Sequence, residues 1–161
     1  MACYHPLTGF RSATVNSNGS RSIVFDRNKA ISPAKVMIPC GQCVGCRLER
    51  SRQWAVRCMH EASMHVDNCF VTLTYSDANL PPNGSLVKED FQKFMKRLRK
   101  RCGGAVRYYY CGEYGEDFGR PHYHVVLFGY DFKDKLYWRQ NSNGDKCYRS
   151  PFFEELWPGV S

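Results

Sequence analysis

A pair of histidines within an apolar strand is the feature that most limits how this chain can fold. His122 and His124 flank a tyrosine in residues 121–128, and residues 125–128 are continuously apolar. That composition predicts a central, largely buried β-strand. Because side chains alternate faces along a strand, both imidazoles project from one face, about 7 Å apart, and can converge on one cation. Polar side chains in such a strand are costly unless they are paired or used.

The segment before this strand supplies a carboxylate. Residues 106–113 predict a second strand, joined to the first by a short polar loop. If that loop is centred near residues 117–118, Glu113 lies directly opposite His122, with Cβ atoms about 5 Å apart. Two imidazole nitrogens and one carboxylate suit Mn²⁺ or Mg²⁺ with open water positions. Glu113, His122 and His124 are therefore candidate metal ligands; the alternative is a structural histidine pair that binds no ion.

Regular elements surround this hairpin. Residues 47–65 lack Gly and Pro and carry apolar side chains at helical spacing, residues 88–101 predict a second helix, and residues 69–75 alternate as a strand. This order predicts an α+β fold with a central antiparallel sheet and helices packed on one side. We expect one domain over residues 1–161, preceded at 1–46 by an irregular arm with one or two short strands.

Composition narrows the class of partner. Lys and Arg outnumber Asp and Glu by 23 to 15, giving a net charge of +8, which favours a polyanionic partner. No apolar run approaches the roughly 18 residues of a membrane span, and the N-terminus lacks the core of a signal peptide. We therefore expect a soluble intracellular protein without membrane association.

Several short motifs resemble those of the HUH endonucleases, the rolling-circle replication initiators of small circular-DNA phages. The His-Tyr-His run at 122–124, which follows an Arg-Pro pair, resembles the metal-binding motif of that family. Residues 70–75 resemble its first motif, an apolar strand with alternating threonines, and Glu113 matches its acidic third ligand. Two longer segments, 38–62 and 91–98, are similar to the initiators of gokushovirus-type microviruses.

The resemblance implies an HUH endonuclease with a ferredoxin- or RRM-like palm that nicks single-stranded DNA at a replication origin. In that family a metal polarises the scissile phosphate while a tyrosine hydroxyl attacks phosphorus. The products are a 5′-phosphotyrosyl link and a free 3′-hydroxyl that primes rolling-circle replication. The resemblance also implies a protein of the infected bacterial cytoplasm, with the host replication machinery as a further partner.

The attacking tyrosine is hard to place in this chain. In the family it lies on a helix downstream of the histidine strand, with a lysine shortly after it. Tyr130, followed by Lys133, is a weak match, but it lies about 20 Å from His124 if the strand continues. Tyr137 and Tyr148 lie in a stretch without a helical pattern. We therefore expect a domain truncated before its nucleophile motif, with the tyrosine beyond the last residue given.

Three of the nine cysteines crowd together as Cys40, Cys43 and Cys46. Without a secretory signal, this spacing predicts metal ligands or reduced thiols rather than disulfides. Three thiolates can wrap a structural Zn²⁺, with Cys3, Cys58 or a nearby histidine as the fourth ligand. An iron–sulfur cluster or a set of packed free thiols are the alternatives.

Basic residues on the second predicted helix and before the histidine strand are candidates for contact with the DNA backbone. They are Lys93, Lys96, Arg97, Lys100 and Arg120. For each helical cation the alternative is an ordinary solvated helix face.

Two other functions compete for the whole chain. One is a non-catalytic module that binds single-stranded nucleic acid and has structural histidines. The other is a two-histidine phosphoesterase acting on RNA ends, which normally uses paired His-x-Thr/Ser motifs that this sequence lacks.

Overall fold

The computed structural model describes residues 3–115 and 119–157. Its contacts divide the chain into two compact units, Met1–Arg57 and Cys58–Ser161. Across the described residues, no helix combines the length and the apolar character needed to cross a membrane. The single HUH domain with an arm at 1–46 stays a prediction.

The first unit contains a three-stranded antiparallel sheet in the order β2-β1-β3. Its strands are β1 (Leu7–Ser12), β2 (Ile23–Val24) and β3 (Ala30–Ile38). The sequence analysis expected one or two short strands here, and the structure has one more. Pro33 disguises β3, because a proline inside a run is tolerated mainly on an edge strand or at a bulge. β3 is an edge strand, and its pairing with β1 shifts register between Phe10 and Ser12.

A long helix, α1 (Val44–Ser63), begins in the first unit and ends in the second. The second unit has an antiparallel sheet in the order β4-β6-β5. Its strands are β4 (Asn68–Thr74), β5 (Arg107–Tyr114) and β6 (Pro121–Phe128). The remaining regular elements are α2 (Lys88–Cys102), the hairpin of β7 (Leu136–Gln140) and β8 (Lys146–Arg149), and α3 (Pro151–Leu156). The predicted α+β fold with a central antiparallel sheet is confirmed.

The core lies on one face of the β4-β6-β5 sheet. Phe91 of α2 stacks on Tyr110 of β5, with ring centroids 3.8 Å apart, and also packs on Tyr123 of β6. Trp157, directly after α3, donates from Nε1 to the carbonyl oxygen of Thr74 at 2.6 Å. Both helices therefore cover the same face, as the sequence predicts for α2.

Helix α2 has clear end signals. Glu89 and Asp90 lie in its first turn, three basic residues lie in its last turn, and Gly103 ends it in the left-handed conformation with φ of 67°. The sequence places this helix at 88–101, so its predicted bounds differ from the structure by one residue. The sequence analysis missed α3, although Ser150 caps it through a bond from the Phe153 amide.

Candidate functional site

The uncovered face of the β4-β6-β5 sheet carries the predicted histidine pair. Buried Tyr123 and Val125 of β6 point into the core, so His122 and His124 point to the other face. In the observed register His122 lies opposite Glu113, as the sequence predicts. The loop centre proposed at 117–118 lies outside the described residues.

Three side chains converge at this point. The Nε2 atoms of His122 and His124 lie 3.0 Å and 2.8 Å from the same oxygen, Oε1 of Glu113. One ligand atom from each residue lies within 4.8 Å of the other two. Glu113, His122 and His124 are called the three-ligand cluster below. The predicted convergence is confirmed, whereas the binding of an ion by these residues stays a prediction.

A second layer of hydrogen bonds orients both imidazole rings. Nδ1 of His122 lies 3.0 Å from the carbonyl oxygen of Arg120, which can only accept a hydrogen bond. The proton of neutral His122 therefore belongs on Nδ1, which leaves the Nε2 lone pair available for a cation. Nδ1 of His124 lies 3.1 Å from Oγ1 of Thr72 on β4, which can accept the same kind of bond. The sequence analysis did not assign this role to Thr72.

The electrostatics favour an ionised carboxylate. The hydrogen bond with His122 holds the pKa of Glu113 below its usual range, and the neighbouring His124 acts in the same direction. About half of the Glu113 side chain is exposed, so solvent reaches the three-ligand cluster. An exposed anionic oxygen beside two imidazole nitrogens is a donor set for a divalent ion that keeps positions open for water or substrate.

An aromatic ring borders the three-ligand cluster. Phe70 of β4 stacks on His124, with ring centroids 5.3 Å apart and planes 22° from parallel. Its side chain is 63% exposed although it belongs to a three-stranded sheet. The sequence signal for this placement was the alternation of Phe70, Thr72 and Thr74 on one face of β4, which puts the phenyl ring beside the histidines.

Arg120 lies next to the three-ligand cluster but is engaged within the protein. Its guanidinium donates to Asp77 Oδ1 at 2.5 Å and to the carbonyl oxygen of Tyr75 at 2.7 Å. These bonds tie the segment after β4 to the start of β6. Its backbone carbonyl orients His122, so Arg120 has a structural role besides the predicted contact with DNA.

The helical cations are not brought to the three-ligand cluster. Helix α2 packs on the core face of the sheet, so its exposed side lies away from the histidines. Arg97 donates to the carbonyl oxygen of Leu156 at 2.9 Å, and Lys93 lies 3.8 Å from Asp90. Lys96 and Lys100 are exposed on the same helix. Contact of these residues with DNA stays a prediction.

Tyr130 has the surroundings of a packed side chain. It follows the end of β6 and packs edge-to-face on buried Phe132, with centroids 5.1 Å apart. Burial raises the pKa of the Tyr130 phenol. A raised phenol pKa opposes formation of the phenolate that would attack phosphorus.

The predicted cysteine ligands also meet. The sulfur atoms of Cys3, Cys40, Cys43 and Cys46 lie within 4.8 Å of one another. Among the fourth ligands considered from the sequence, the structure brings Cys3 to the group. These four residues are called the cysteine cluster below.

Comparison with known proteins identifies the family. The model of the family described as replication-associated protein ORF2 matches residues 68–158, which is more than half of the chain. This region contains the whole β4-β6-β5 sheet and the three-ligand cluster.

Curated relatives agree. The chain is 34% identical to replication-associated protein VP4 of Bdellovibrio phage phiMH2K, with 98% of this chain and 50% of that protein aligned. It is 35% identical to replication-associated protein ORF2 of Spiroplasma virus 4, covering 98% of this chain and 53% of that protein. It is 34% identical to replication-associated protein ORF4 of Chlamydia phage 1, covering 74% of this chain and 32% of that protein.

The chain thus spans about half the length of the first two of these relatives. No solved structure matches it significantly. The predicted resemblance to phage replication initiators is confirmed by the family match and by the relatives together. The chain belongs to the family of replication-associated protein ORF2.

Proposed function

We propose that this chain is the metal-binding part of an HUH endonuclease that nicks single-stranded origin DNA during phage replication. The observation that carries the proposal is the convergence of the three-ligand cluster on the uncovered face of the sheet. The replication-associated relatives support a role in replication. The nicking chemistry is inferred from the donor set and the motif order.

The residues present fit Mn²⁺ or Mg²⁺. Glu113 would supply a carboxylate oxygen, and His122 and His124 would each supply Nε2, while solvent exposure leaves room for water and a phosphate oxygen. When bound, such an ion withdraws charge from the phosphate oxygens as a Lewis acid. The bonds from Thr72 and from the Arg120 carbonyl would keep both rings aimed at the ion.

The surface beside the three-ligand cluster suits a single strand. Phe70 presents an exposed ring on which an unpaired base can stack, and such stacking tolerates any base. The net charge of +8 attracts the phosphate backbone over a distance of about one Debye length. The cations of α2 would contribute to this field from the other side of the sheet. We propose that the scissile phosphate lies against the uncovered face.

The nucleophile is proposed to be a tyrosine outside this chain. Tyr123 is buried and points away from the three-ligand cluster, and Tyr75 donates its hydroxyl to Asp90 at 3.0 Å in the core. Tyr130 is packed against Phe132 as described above. An attacking oxygen must reach about 3–3.5 Å from phosphorus, so none of these three phenols meets the requirement in its present position.

The products define the partners. Attack by a tyrosine would leave a 5′-phosphotyrosyl link and a free 3′-hydroxyl, which a polymerase can extend. We propose that the host replication machinery performs this extension, within the cytoplasm of an infected bacterium. The bond energy kept in the phosphotyrosyl link would allow rejoining without ATP.

A cleavage assay tests the proposal. The full-length protein that contains this chain is incubated with a single-stranded origin oligonucleotide, with and without Mn²⁺, as wild type, His124→Ala and His60→Ala. Exposed His60 on α1 provides the matched control. Loss of several kcal/mol of phosphate stabilisation should lower the cleavage rate of His124→Ala by more than about 100-fold. His60→Ala should cleave like the wild type.

Other outcomes would decide against nicking. Metal-independent binding without cleavage in all three proteins would support the non-catalytic module with structural histidines. The 161-residue chain itself should bind the oligonucleotide without a covalent adduct that survives denaturation. An adduct on this chain would show that the nucleophile is one of its own tyrosines.

A further inference from the structure

The first unit has almost nothing buried. Among its described residues, only Gly9, Ser12 and Gly45 are buried, so none of its hydrophobic side chains is. The core of the chain consists of residues from Leu73 to Trp157, all in the second unit. A small sheet without a hydrophobic core normally requires disulfides, a metal ion or a partner to hold it together.

The cysteine cluster occupies the point where the elements of this unit end. Cys3 precedes β1 and Cys40 follows β3, and these two strands are antiparallel with Leu7 paired to Ile38. Both cysteines therefore leave the sheet at the same end. Cys43 and Cys46 lie at the start of α1. Four sulfur atoms at this point link the N-terminal segment, the end of the sheet and the beginning of the helix.

The distances between the sulfur atoms fit one tetrahedral ion. Zinc binds thiolate sulfur at about 2.3 Å, so the edges of a zinc–sulfur tetrahedron are about 3.8 Å long. Sγ of Cys43 lies 3.9 Å from Sγ of Cys3, and all four sulfurs lie within 4.8 Å of one another. A disulfide would need a separation near about 2.05 Å. All nine cysteines of the chain are free in this structure.

Backbone amides point at the sulfur atoms. The amide of Cys40 donates to Sγ of Cys3 at 3.3 Å, and the amide of Cys43 donates to Sγ of Cys40 at 3.4 Å. The amide of Tyr4 donates to Sγ of Cys43 at 3.5 Å. Gly41, with φ of 77°, permits the tight turn that aims these amides. Such bonds stabilise the thiolate, which is the form that binds metal.

We propose that the cysteine cluster binds one structural Zn²⁺ and that this ion holds the first unit folded. Four sulfur donors fill the coordination sphere, so the site is closed and has no position for a substrate. Soft thiolates select zinc over the harder ions that suit the three-ligand cluster. The proposal is independent of the nicking function, since it concerns different residues and a different ion.

Elemental analysis of the purified 161-residue chain tests the stoichiometry. The wild type, purified with a thiol reductant and without chelator, should contain about one zinc per chain. Cys147→Ser, in β8, is the matched control and should retain the zinc. His124→Ala should also retain it, which separates this site from the three-ligand cluster. Cys43→Ser should lose most of it.

Two measurements on the wild type do not depend on the folding of a variant. Co²⁺ exchanged into the protein should give the intense visible absorption of a tetrahedral thiolate site. Zinc removal by a chelator should make residues 3–57 sensitive to protease while the core around Tyr123 stays protected. Binding energy of a structural zinc is folding energy, so the two effects should appear together.

Specific results would overturn the proposal. Zinc far below one per chain with all cysteines titratable in the folded protein would exclude the ion. Iron in place of zinc would indicate a cluster of a different kind, and disulfides within the cysteine cluster would replace the ion altogether. Zinc retained in Cys43→Ser but lost in His124→Ala would assign the metal to the other site.

Discussion

At the scale of single residues, the arrangement around His124 separates binding from orientation. Its Nε2 faces Glu113, whereas its Nδ1 faces Thr72 on the neighbouring strand. A ring held at both nitrogens loses little freedom when an ion arrives. Outer partners of this type typically change metal affinity by about 10–100-fold when they are removed.

Replacing Thr72 by Val should therefore weaken Mn²⁺ binding by about 10–100-fold without loss of the fold, because the side chain keeps its shape and loses only the hydroxyl. Thr74→Val is the matched control. Thr74 lies on the same face but pairs with His122, whose Nδ1 bonds to the Arg120 carbonyl instead. Titration calorimetry measures both affinities. Equal affinities in the two variants would show that Thr72 has no orienting role.

At the scale of elements, β5 fits tightly between the three-ligand cluster and the core. A Cβ added at Gly112 would lie 3.0 Å from Leu86 Cδ1 and 3.2 Å from Tyr123 Cδ1. Those separations are shorter than ordinary van der Waals contact, so the neighbours or the strand must move. Any movement of β5 also moves Glu113, the next residue along it.

Gly112→Ala should accordingly lower the free energy of unfolding by about 1 kcal/mol through overpacking. It should also weaken Mn²⁺ binding, because the carboxylate shifts relative to the two imidazoles. Gly104→Ala is the control, since a Cβ there meets no atom within 4 Å. Urea unfolding measures both variants. A destabilisation of equal size in both would mean that the contact with Leu86 is relieved without strain.

Much of the second unit could be predicted because its patterns are strong. The alternation of His122, Tyr123 and His124 determined which side chains share a face, and the adjacent carboxylate indicated the register of the hairpin. Residues 121–128 and helix α2 agree with the prediction within one residue. The burial of α2 against the sheet could not be read from its basic run, because charge alone does not show which face a helix turns to solvent.

The parts that were missed carry weaker local signals. β3 contains a proline and depends on pairing with a distant strand, and β2 has only two residues. Helix α3 has six residues, too few for a periodic pattern, and only its Ser150–Pro151 start announces it. The fourth member of the cysteine cluster, Cys3, is separated from the others by the whole sheet, so spacing alone did not distinguish it from Cys58.

At the scale of the whole molecule, the two units depend on different sources of stability. The second unit has a large aromatic core, and the uncovered face of its sheet is left available for chemistry. The first unit has no buried hydrophobic side chain among its described residues and gathers four cysteines instead. The family match covers residues 68–158, so the motif-bearing sheet is the part that the family shares.

The most direct test of the account is pulsed electron paramagnetic resonance of Mn²⁺ bound to the 161-residue chain. The three-ligand cluster predicts coupling of the ion to two histidine nitrogens in the wild type and in His60→Ala. His122→Ala and His124→Ala should each reduce this to one nitrogen, with weaker binding. Mn²⁺ that binds without nitrogen coupling, or coupling that stays unchanged in both variants, would contradict the central claim that Glu113, His122 and His124 hold one ion.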